Sequence, residues 1–328
     1  MHEIDREISE KFGFEIKSLA PYKDAFIINT SSGRKVLKRT ALFPERIQFI
    51  HNAKEHLYGN GFSNIDRYLC TVEGKPYVSV DGYNYMITDF IEGNECNFDN
   101  RNEMINASRL LAQLHKASKG FMPSEDCVVK DDLGKIPQYF SKRLEEIKKL
   151  SKIARKGRSK FDYMFLSNFD YFYSLGESAL ELINSSRYEN LISISRKERV
   201  LCHHDYTHHN IIKSGETYSV LNFEFCCFEV KVYDLANLLR RKMRRCNWDI
   251  NEARIIIDEY RAIEDLSEDD IYVMKTILQF PQKLWRVVNR YYNSRRSWSE
   301  KSYIVKLQEV IDEIEHHKRF MERYEELF

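Results

Sequence analysis

Apolar and polar positions repeat at two different periods along this chain, and the change of period divides it. Residues 3 to 12 carry a short helical pattern. From 14 to 41 the period falls to two, and Phe14-Glu15-Ile16, Ala25 to Thr30 and Lys35-Val36-Leu37-Lys38 read as strands, with Ser31-Ser32-Gly33 as the turn between the last two. Ile47, Ile50, Ala53 and Leu57 then recur at helical spacing over 45 to 59, closed by Gly59 and Gly61, which predicts a helix with a C-terminal stop. Tyr68 to Thr71, Pro76 to Val80 and Tyr83 to Thr88 are short β-rich runs separated by Glu73-Gly74-Lys75 and Asp81-Gly82. After Asp89-Phe90-Ile91-Glu92-Gly93 the pattern lengthens into amphipathic helices over 102 to 118, 135 to 153 and 162 to 184.

One stretch breaks the helical half. Val200-Leu201 leads into Cys202-His203-His204-Asp205-Tyr206-Thr207-His208-His209-Asn210. Strand period follows in Asn210 to Lys213 and Tyr218 to Phe223, around a Ser214-Gly215-Glu216 turn. Helix returns from Tyr233 to Phe328, interrupted near 247 to 251, at Leu266-Ser267, at Phe280-Pro281 and at 294 to 299. The expected architecture is α+β: a sheet with one helix over 1–93, and a helical lobe over 94–328 that carries a hairpin at 200–223.

Composition narrows the class. A chain of 328 residues with 43% apolar and 31% charged residues, but few glycines (12) and prolines (6), has the material for an ordered, helix-rich core. Its 51 basic residues nearly cancel 50 acidic ones, so no global field draws it to nucleic acid or to a membrane. The seven cysteines are scattered without a C-x-x-C pair, which signals neither a disulfide framework nor a zinc knuckle and fits a reducing compartment. The N-terminus is charged where a secretory signal would be apolar, and no run approaches a membrane span, so an intracellular protein is expected.

Candidate chemistry centres on the stretch at 202 to 210. Its histidines raise a metal site, because His204 and His208 are four apart, but that reading needs helical backbone where the flanks are strand-like. The pattern H-x-D-x-x-x-x-N followed by a hairpin explains more: Asp205 accepts the proton of an attacking hydroxyl and Asn210 holds a metal ion, with His203 bracing the loop. Lys38, ending a strand in the first lobe, stands where a phosphate-pairing lysine belongs, with Glu45 and Glu55 of the following helix as possible partners. No G-x-G-x-x-G loop precedes it, so a phosphate lid would have to use Tyr22-Lys23-Asp24 and its backbone.

The chain resembles the CotS family of spore coat proteins, which share the aminoglycoside phosphotransferase and choline kinase variant of the protein-kinase fold. Val36-Leu37-Lys38, Asp89 to Gly93, Leu111-Ala112-Gln113-Leu114-His115, Ser159-Lys160-Phe161-Asp162, Cys202 to Asn210, Tyr233-Asp234-Leu235-Ala236 and Phe280 to Trp285 carry that resemblance almost from end to end. It implies a two-lobed protein-kinase-like fold and an ATP- and magnesium-dependent phosphotransferase acting on a small molecule or sugar. It also implies location in the mother-cell cytoplasm, assembly into the spore coat and other coat proteins as partners. By the same carry-over Asp205 is the base, Asn210 a magnesium ligand, Lys38 the phosphate lysine, Asp89 and Ile91 nucleotide contacts, and Asp234 a structural acid.

One position departs from the active pattern. Leu221-Asn222-Phe223-Glu224 places a neutral amide, Asn222, where these kinases have a metal-binding aspartate. Glu224, two residues on and so on the same face of an extended segment, is the candidate to compensate. The alternative is a pseudokinase serving as a coat scaffold. Two basic and aromatic runs, Arg240 to Arg245 and Arg286 to Arg296, read by default as solvated helix faces; if they line a cleft, they favour an anionic acceptor.

Overall fold

The structure, a computed structural model, describes residues 2–293 and 299–328, so the expected break at 294 to 298 lies outside the described residues. The chain forms two compact units, one of residues 1–131 with 199–228, the other of 132–198 with 229–328.

The first unit opens with α1 (His2–Phe12), followed by β1 (Ile16–Tyr22), β2 (Ala25–Thr30), β3 (Gly33–Thr40), α2 (Pro44–Gly59), β4 (Val78–Val80) and β5 (Tyr83–Asp89). The five strands form one antiparallel sheet in the order β1-β2-β3-β5-β4. Period-two alternation puts Ile28, Leu37, Tyr85 and Ile87 on one face, packed with Ile8 and Phe12 of α1. Burying each such side chain contributes about 2 kcal/mol. Two expected strands are cut back: Pro76-Tyr77 lies before β4, and the 68 to 71 run makes only an isolated bridge from Tyr68 to Thr88. The Lys54 ammonium sits 3.9 Å from the Tyr68 ring centre.

β6 (Asn94–Glu95) and α3 (Arg101–Ser118) complete the first passage through this unit. After residue 199 come β7 (Leu201–Cys202), β8 (Ile211–Ser214), β9 (Thr217–Val220) and β10 (Cys227–Phe228). β6 pairs with β8, β8 with β9, and β7 with β10. The change of period near residue 93 is therefore not where contacts are sparse. Glu95 pairs opposite Ile212, and Val220 N donates to Asn64 O at 2.9 Å, so the hairpin is hydrogen-bonded both to the segment that leaves β5 and to the one that follows α2. Gly93 permits the approach: a Cβ there would stand 2.2 Å from Lys213 O, at a φ of +147°.

The second unit is helical: α4 (Ile136–Ala154), α5 (Lys160–Ile183), α6 (Ser186–Glu198), α7 (Val232–Met243), α8 (Ile250–Arg261), α9 (Glu268–Gln279), α10 (Gln282–Asn293), α11 (Glu300–Asp312) and α12 (Ile314–Glu322). α6 was not expected from the apolar spacing. α4, α5, α10 and α11 share a core around Ile147, Phe161, Phe165, Val288 and Leu307. The Ser159 to Asp162 motif is a capping box that starts α5. Asp162 also accepts from the Tyr292 hydroxyl. Asp234 is buried in the first turn of α7.

Candidate nucleotide site and catalytic loop

A cleft of about 810 Å³ opens within the first unit. Val36, Met86, Ile91 and Ile212 give it an apolar side, while Lys38, Asp24, Asn222 and Glu224 give it a polar end. Asp89 and Ile91 both line it. The Asp89 carboxylate itself is turned to Lys35, 2.7 Å away, and is largely exposed, so what this residue offers the cleft is its backbone at the end of β5.

Lys38 reaches this cleft because β3 alternates, burying Leu37 and turning Lys38 to the other face. Its Nζ lies 2.7 Å from Glu224 Oε1 and 3.1 Å from Asp24 Oδ2. Burial works against the charge, but hydrogen bonds and attraction from Glu224 and then Asp24 outweigh it and hold the Lys38 pKa above the ordinary lysine value. Neither Glu45 nor Glu55 is the partner. Glu55 is held by Arg67 at 2.5 Å, and Glu45 stands exposed in the first turn of α2, whose inward face is apolar apart from Arg46 and Lys54.

The turn between β1 and β2 edges the cleft. Lys23 adopts a left-handed φ of 53°, and Tyr22, Lys23 and Asp24 all line the cleft. Lys23 is paired with Glu95, and Glu95 Oε2 lies 2.5 Å from His209 Nδ1, so one carboxylate ties the turn to the loop that carries Asp205 and Asn210. The Lys23 hydrogen bond is the main cause holding Glu95 below the usual carboxylate pKa, with His209 adding to it against desolvation.

The loop itself is braced by His203, which is fully buried. Asp205 N donates to His203 Nδ1 at 3.2 Å, which makes Nδ1 the acceptor; Nε2–H then donates to Leu221 O at 2.9 Å. A ladder of amides crosses from here to position 222. Asn222 Nδ2 donates to Asn210 Oδ1 at 2.9 Å, and Asn210 Nδ2 donates to Asp205 O at 2.9 Å and to Asp205 Oδ2 at 3.0 Å. The segment from 222 is not extended, as an alternating strand would require. Asn222 sits at φ 61° and ψ 63°, and Phe223–Phe225 is a single 3₁₀ turn. Glu224 therefore reaches Lys38 through a turn, with Arg46 Nη2 donating to the carbonyls of Glu224 (2.8 Å) and Cys226 (2.7 Å) to fix it.

Two further residues join the site without having been expected there. Asp66 lines the cleft and its Oδ2 accepts from Asn222 N at 3.1 Å. Lys54, fully buried on α2, lies 2.9 Å from Asp66 Oδ1 and donates to Asp66 O at 2.6 Å. Desolvation lowers the Lys54 pKa despite the attraction of Asp66. Lys54 carried a legible signal: it falls at i+4 from Ile50 and i−3 from Leu57, within the apolar stripe.

Oxygen donors for a hard cation are present at Asn210, Asn222 and Glu224, and among these three only Glu224 is a carboxylate. They fit magnesium by donor type, with Glu224 supplying the charge that position 222 lacks. The pairing of His204 with His208 is not a helical one, since His204 has a left-handed φ of 68° and residues 208–210 form a 3₁₀ turn. His208 and His209 instead gather with Glu95, with ligand atoms within 4.8 Å of one another.

A five-stranded sheet, a strand lysine and an H-x-D-x-x-x-x-N loop before a hairpin define a protein-kinase-like fold of the aminoglycoside phosphotransferase type. An aminoglycoside phosphotransferase from Alicyclobacillus acidocaldarius shares that fold with a TM-score of 0.86, at 22% identity, over 96% of this chain and 93% of its own. Spectinomycin phosphotransferase in complex with ADP and spectinomycin matches with a TM-score of 0.58, at 16% identity, over 98% and 93% of the two chains. The chain belongs to the family described as "Spore coat putative kinase YutH", which matches residues 5–324. Spore coat protein S of Bacillus subtilis (strain 168) is 25% identical over 99% of this chain and 95% of its own length, in agreement with the resemblance read from the motifs. Among the described residues no helix is long and apolar enough to cross a membrane.

Proposed function

We propose that this spore coat family member binds ATP with magnesium in the cleft around Lys38 and transfers the terminal phosphoryl group to a hydroxyl of a small molecule or sugar. The observation that carries the reading is the 2.7 Å pairing of Glu224 with Lys38, which brings a carboxylate to the lysine beside the two amides that would otherwise hold a metal alone. The ADP bound to the spectinomycin enzyme supports a nucleotide in this fold.

In this mechanism the apolar side of the cleft takes the base, and the backbone from Asp89 to Ile91 edges it. Lys38 would pair with the nucleotide phosphates in place of Glu224, and Glu224, Asn210 and Asn222 are the residues that would hold a magnesium ion. A magnesium ion bound there would neutralise the phosphate charge. Asn210 orients the Asp205 carboxylate through its 3.0 Å hydrogen bond. Asp205 takes the proton of the acceptor hydroxyl as the new O–P bond forms and the bond to the leaving ADP oxygen breaks.

The test uses the full chain with ATP and magnesium, with water as the acceptor. A nucleotide-dependent rise in melting temperature that Lys38→Met removes, and phosphate release that Asp205→Ala removes, are the expected results. No thermal shift with either ATP or ADP would sink the reading.

A second reading, a pseudokinase that acts as a scaffold for other coat proteins, is favoured by the Asn222 to Asn210 hydrogen bond, in which the Asn222 NH2 engages the Asn210 carbonyl oxygen that a metal would need. Family membership supports coat proteins as its partners. Nucleotide binding without phosphate release, unchanged by Asn222→Asp, would favour this reading.

A further inference from the structure

The end of α4, the loop after it and the first residue of α5 form a cationic face on the second unit. From Lys148 to Lys160 the chain carries five lysines, two arginines and no acid. All seven side chains are exposed, and none is paired with a carboxylate among the described residues. Glu145 stands four residues before Lys149, the orientation that favours an ion pair on a helix, yet the two form none. Glu146 is engaged elsewhere, accepting from Trp285 Nε1 at 2.6 Å.

The loop that holds these cations is fixed. The next acid along the chain, Asp162, is buried and accepts from Ser159 N at 2.9 Å and from the Tyr292 hydroxyl. Gly157 lies against that carboxylate, since a Cβ there would stand 2.2 Å from Asp162 Oδ2. Lys156 N donates to Ile153 O at 3.0 Å and Gly157 N to Ala154 O at 2.9 Å, which closes the end of α4. Leu150, Ala154 and Phe161 anchor the segment in the core of the unit. The cations therefore stand on a frame that is already ordered, which lowers the entropy cost of binding. Helix dipoles account for only part of the run. Lys152 suits the last turn of α4, but Arg158 and Lys160 flank the Ser159 N-cap of α5, where the dipole opposes them. Like charges held this close repel one another, and an anion from outside relieves that repulsion.

The size of the anion follows from the rest of the molecule. Setting these seven residues aside leaves 44 basic residues against 50 acidic ones. A long nucleic acid or an anionic bilayer would overrun the face and meet that net negative charge. A short ligand would not. The helical part of the face, Lys148 to Arg155, spans about 10 Å at a rise of about 1.5 Å per residue. About six residues of extended peptide cover it together with the loop. Ile153, 45% exposed among the cations, adds an apolar contact that a peptide side chain can meet and a bare phosphate chain cannot.

We propose that the face from Lys148 to Lys160 docks a short acidic peptide segment of a partner protein, its carboxylates meeting the lysine and arginine heads and an apolar side chain resting on Ile153. The proposal is independent of the nucleotide site and needs no ATP.

The experiment titrates the full chain, without nucleotide, into a fluorescein-labelled heptapeptide of six acidic residues around a central leucine, and reads anisotropy. The comparison ligands are the same peptide with Gln and Asn in place of its acids, an oligothymidylate of equal charge, and phosphatidylglycerol vesicles. The acidic peptide should bind saturably and the amide peptide should not. Raising the salt from about 0.05 M to about 0.3 M should weaken binding about tenfold. Lys149→Gln, Lys152→Gln, Arg155→Gln and Lys156→Gln together should weaken it about tenfold at low salt with the melting temperature unchanged, because all four side chains are exposed. Arg196→Gln with Lys197→Gln, on the exposed end of α6, should leave it unchanged. No saturable binding of the acidic peptide at low salt, an equal loss in the α6 variant, or tighter binding of the oligothymidylate or the vesicles would each overturn the proposal. So would self-association of the chain at the same salt that the four substitutions abolish, since the face would then take a second copy.

Discussion

Glu224 Oε1 stands 2.7 Å from Lys38 Nζ, so the acid that neutralises the strand lysine comes from the turn after the β8–β9 hairpin and not from helix α2. If Glu224 is also the charged metal ligand, it serves the two partners in turn. Glu224→Gln should then leave magnesium-free ADP binding unchanged or tighter, because Lys38 is released toward the phosphates. The tightening that magnesium brings should fall about tenfold, or about 1.4 kcal/mol. Calorimetry of ADP with and without magnesium checks this, and magnesium dependence equal to that of the unaltered protein would rule Glu224 out as a ligand.

Asn222 is the neutral member of the ladder to Asn210 and Asp205. Asn222→Asp removes the 2.9 Å hydrogen bond to Asn210 and adds a charge beside Asp66, while its left-handed backbone suits Asp nearly as well as Asn. Without metal the variant should lose about 1 kcal/mol of stability. With magnesium and ATP it should gain a larger thermal shift and release phosphate faster than the unaltered chain. Thermal melts across a magnesium series and a phosphate-release assay measure both effects.

How much of this was legible depended on period. β2, α2, α3 and the hairpin at β8 and β9 were placed to within a few residues because their apolar spacing is set by one buried face. The strand expected to reach Phe223 stops at Val220, because Asn222 turns left-handed, and a residue's φ leaves little trace in apolar spacing. The site divides the same way. Asp205, Asn210 and Lys38 stand in motifs, whereas Asp66 lies in an irregular segment and Arg46 works through two carbonyls, which no motif encodes. Glu224 was singled out for its nearness to Asn222, but the partner of Lys38 was sought in α2, because side-chain direction on a helix cannot be read from glutamates on both of its flanks.

Lys54 and Asp66 form a buried pair that holds α2 to the backbone of Asn222. Asp66→Asn would leave the Lys54 cation fully buried with only neutral oxygens to meet it, which costs about 3–5 kcal/mol. Adding Lys54→Met removes the stranded charge and places an apolar side chain between Tyr68 and Phe223, where the ammonium now sits. The double variant should therefore be more stable than Asp66→Asn alone, as measured by urea denaturation. Both should weaken nucleotide binding, since the Asn222 backbone loses its charged acceptor in each. A double variant less stable than the single one would show that the pair is not the source of the loss.

His317 gives the second unit a pH dependence of predictable sign. Burial pushes its pKa from 6.5 down to about 4, against the pull of the Leu278 carbonyl and with the Arg240 cation adding to the fall. The unfolded chain takes up a proton near pH 6.5 while the folded state refuses it until about pH 4. Protonation over that interval therefore favours unfolding. The stability tied to the neutral ring is complete above pH 6.5 and is lost as pH falls toward 4. At roughly 1.4 kcal/mol per pH unit, its full extent is about 3 kcal/mol. Melting temperatures measured from pH 7 to pH 4 should fall more steeply for the unaltered chain than for His317→Phe, which keeps an aromatic ring against Trp248 and has nothing to titrate. Parallel curves for the two proteins would show that His317 is not a source of the acid sensitivity.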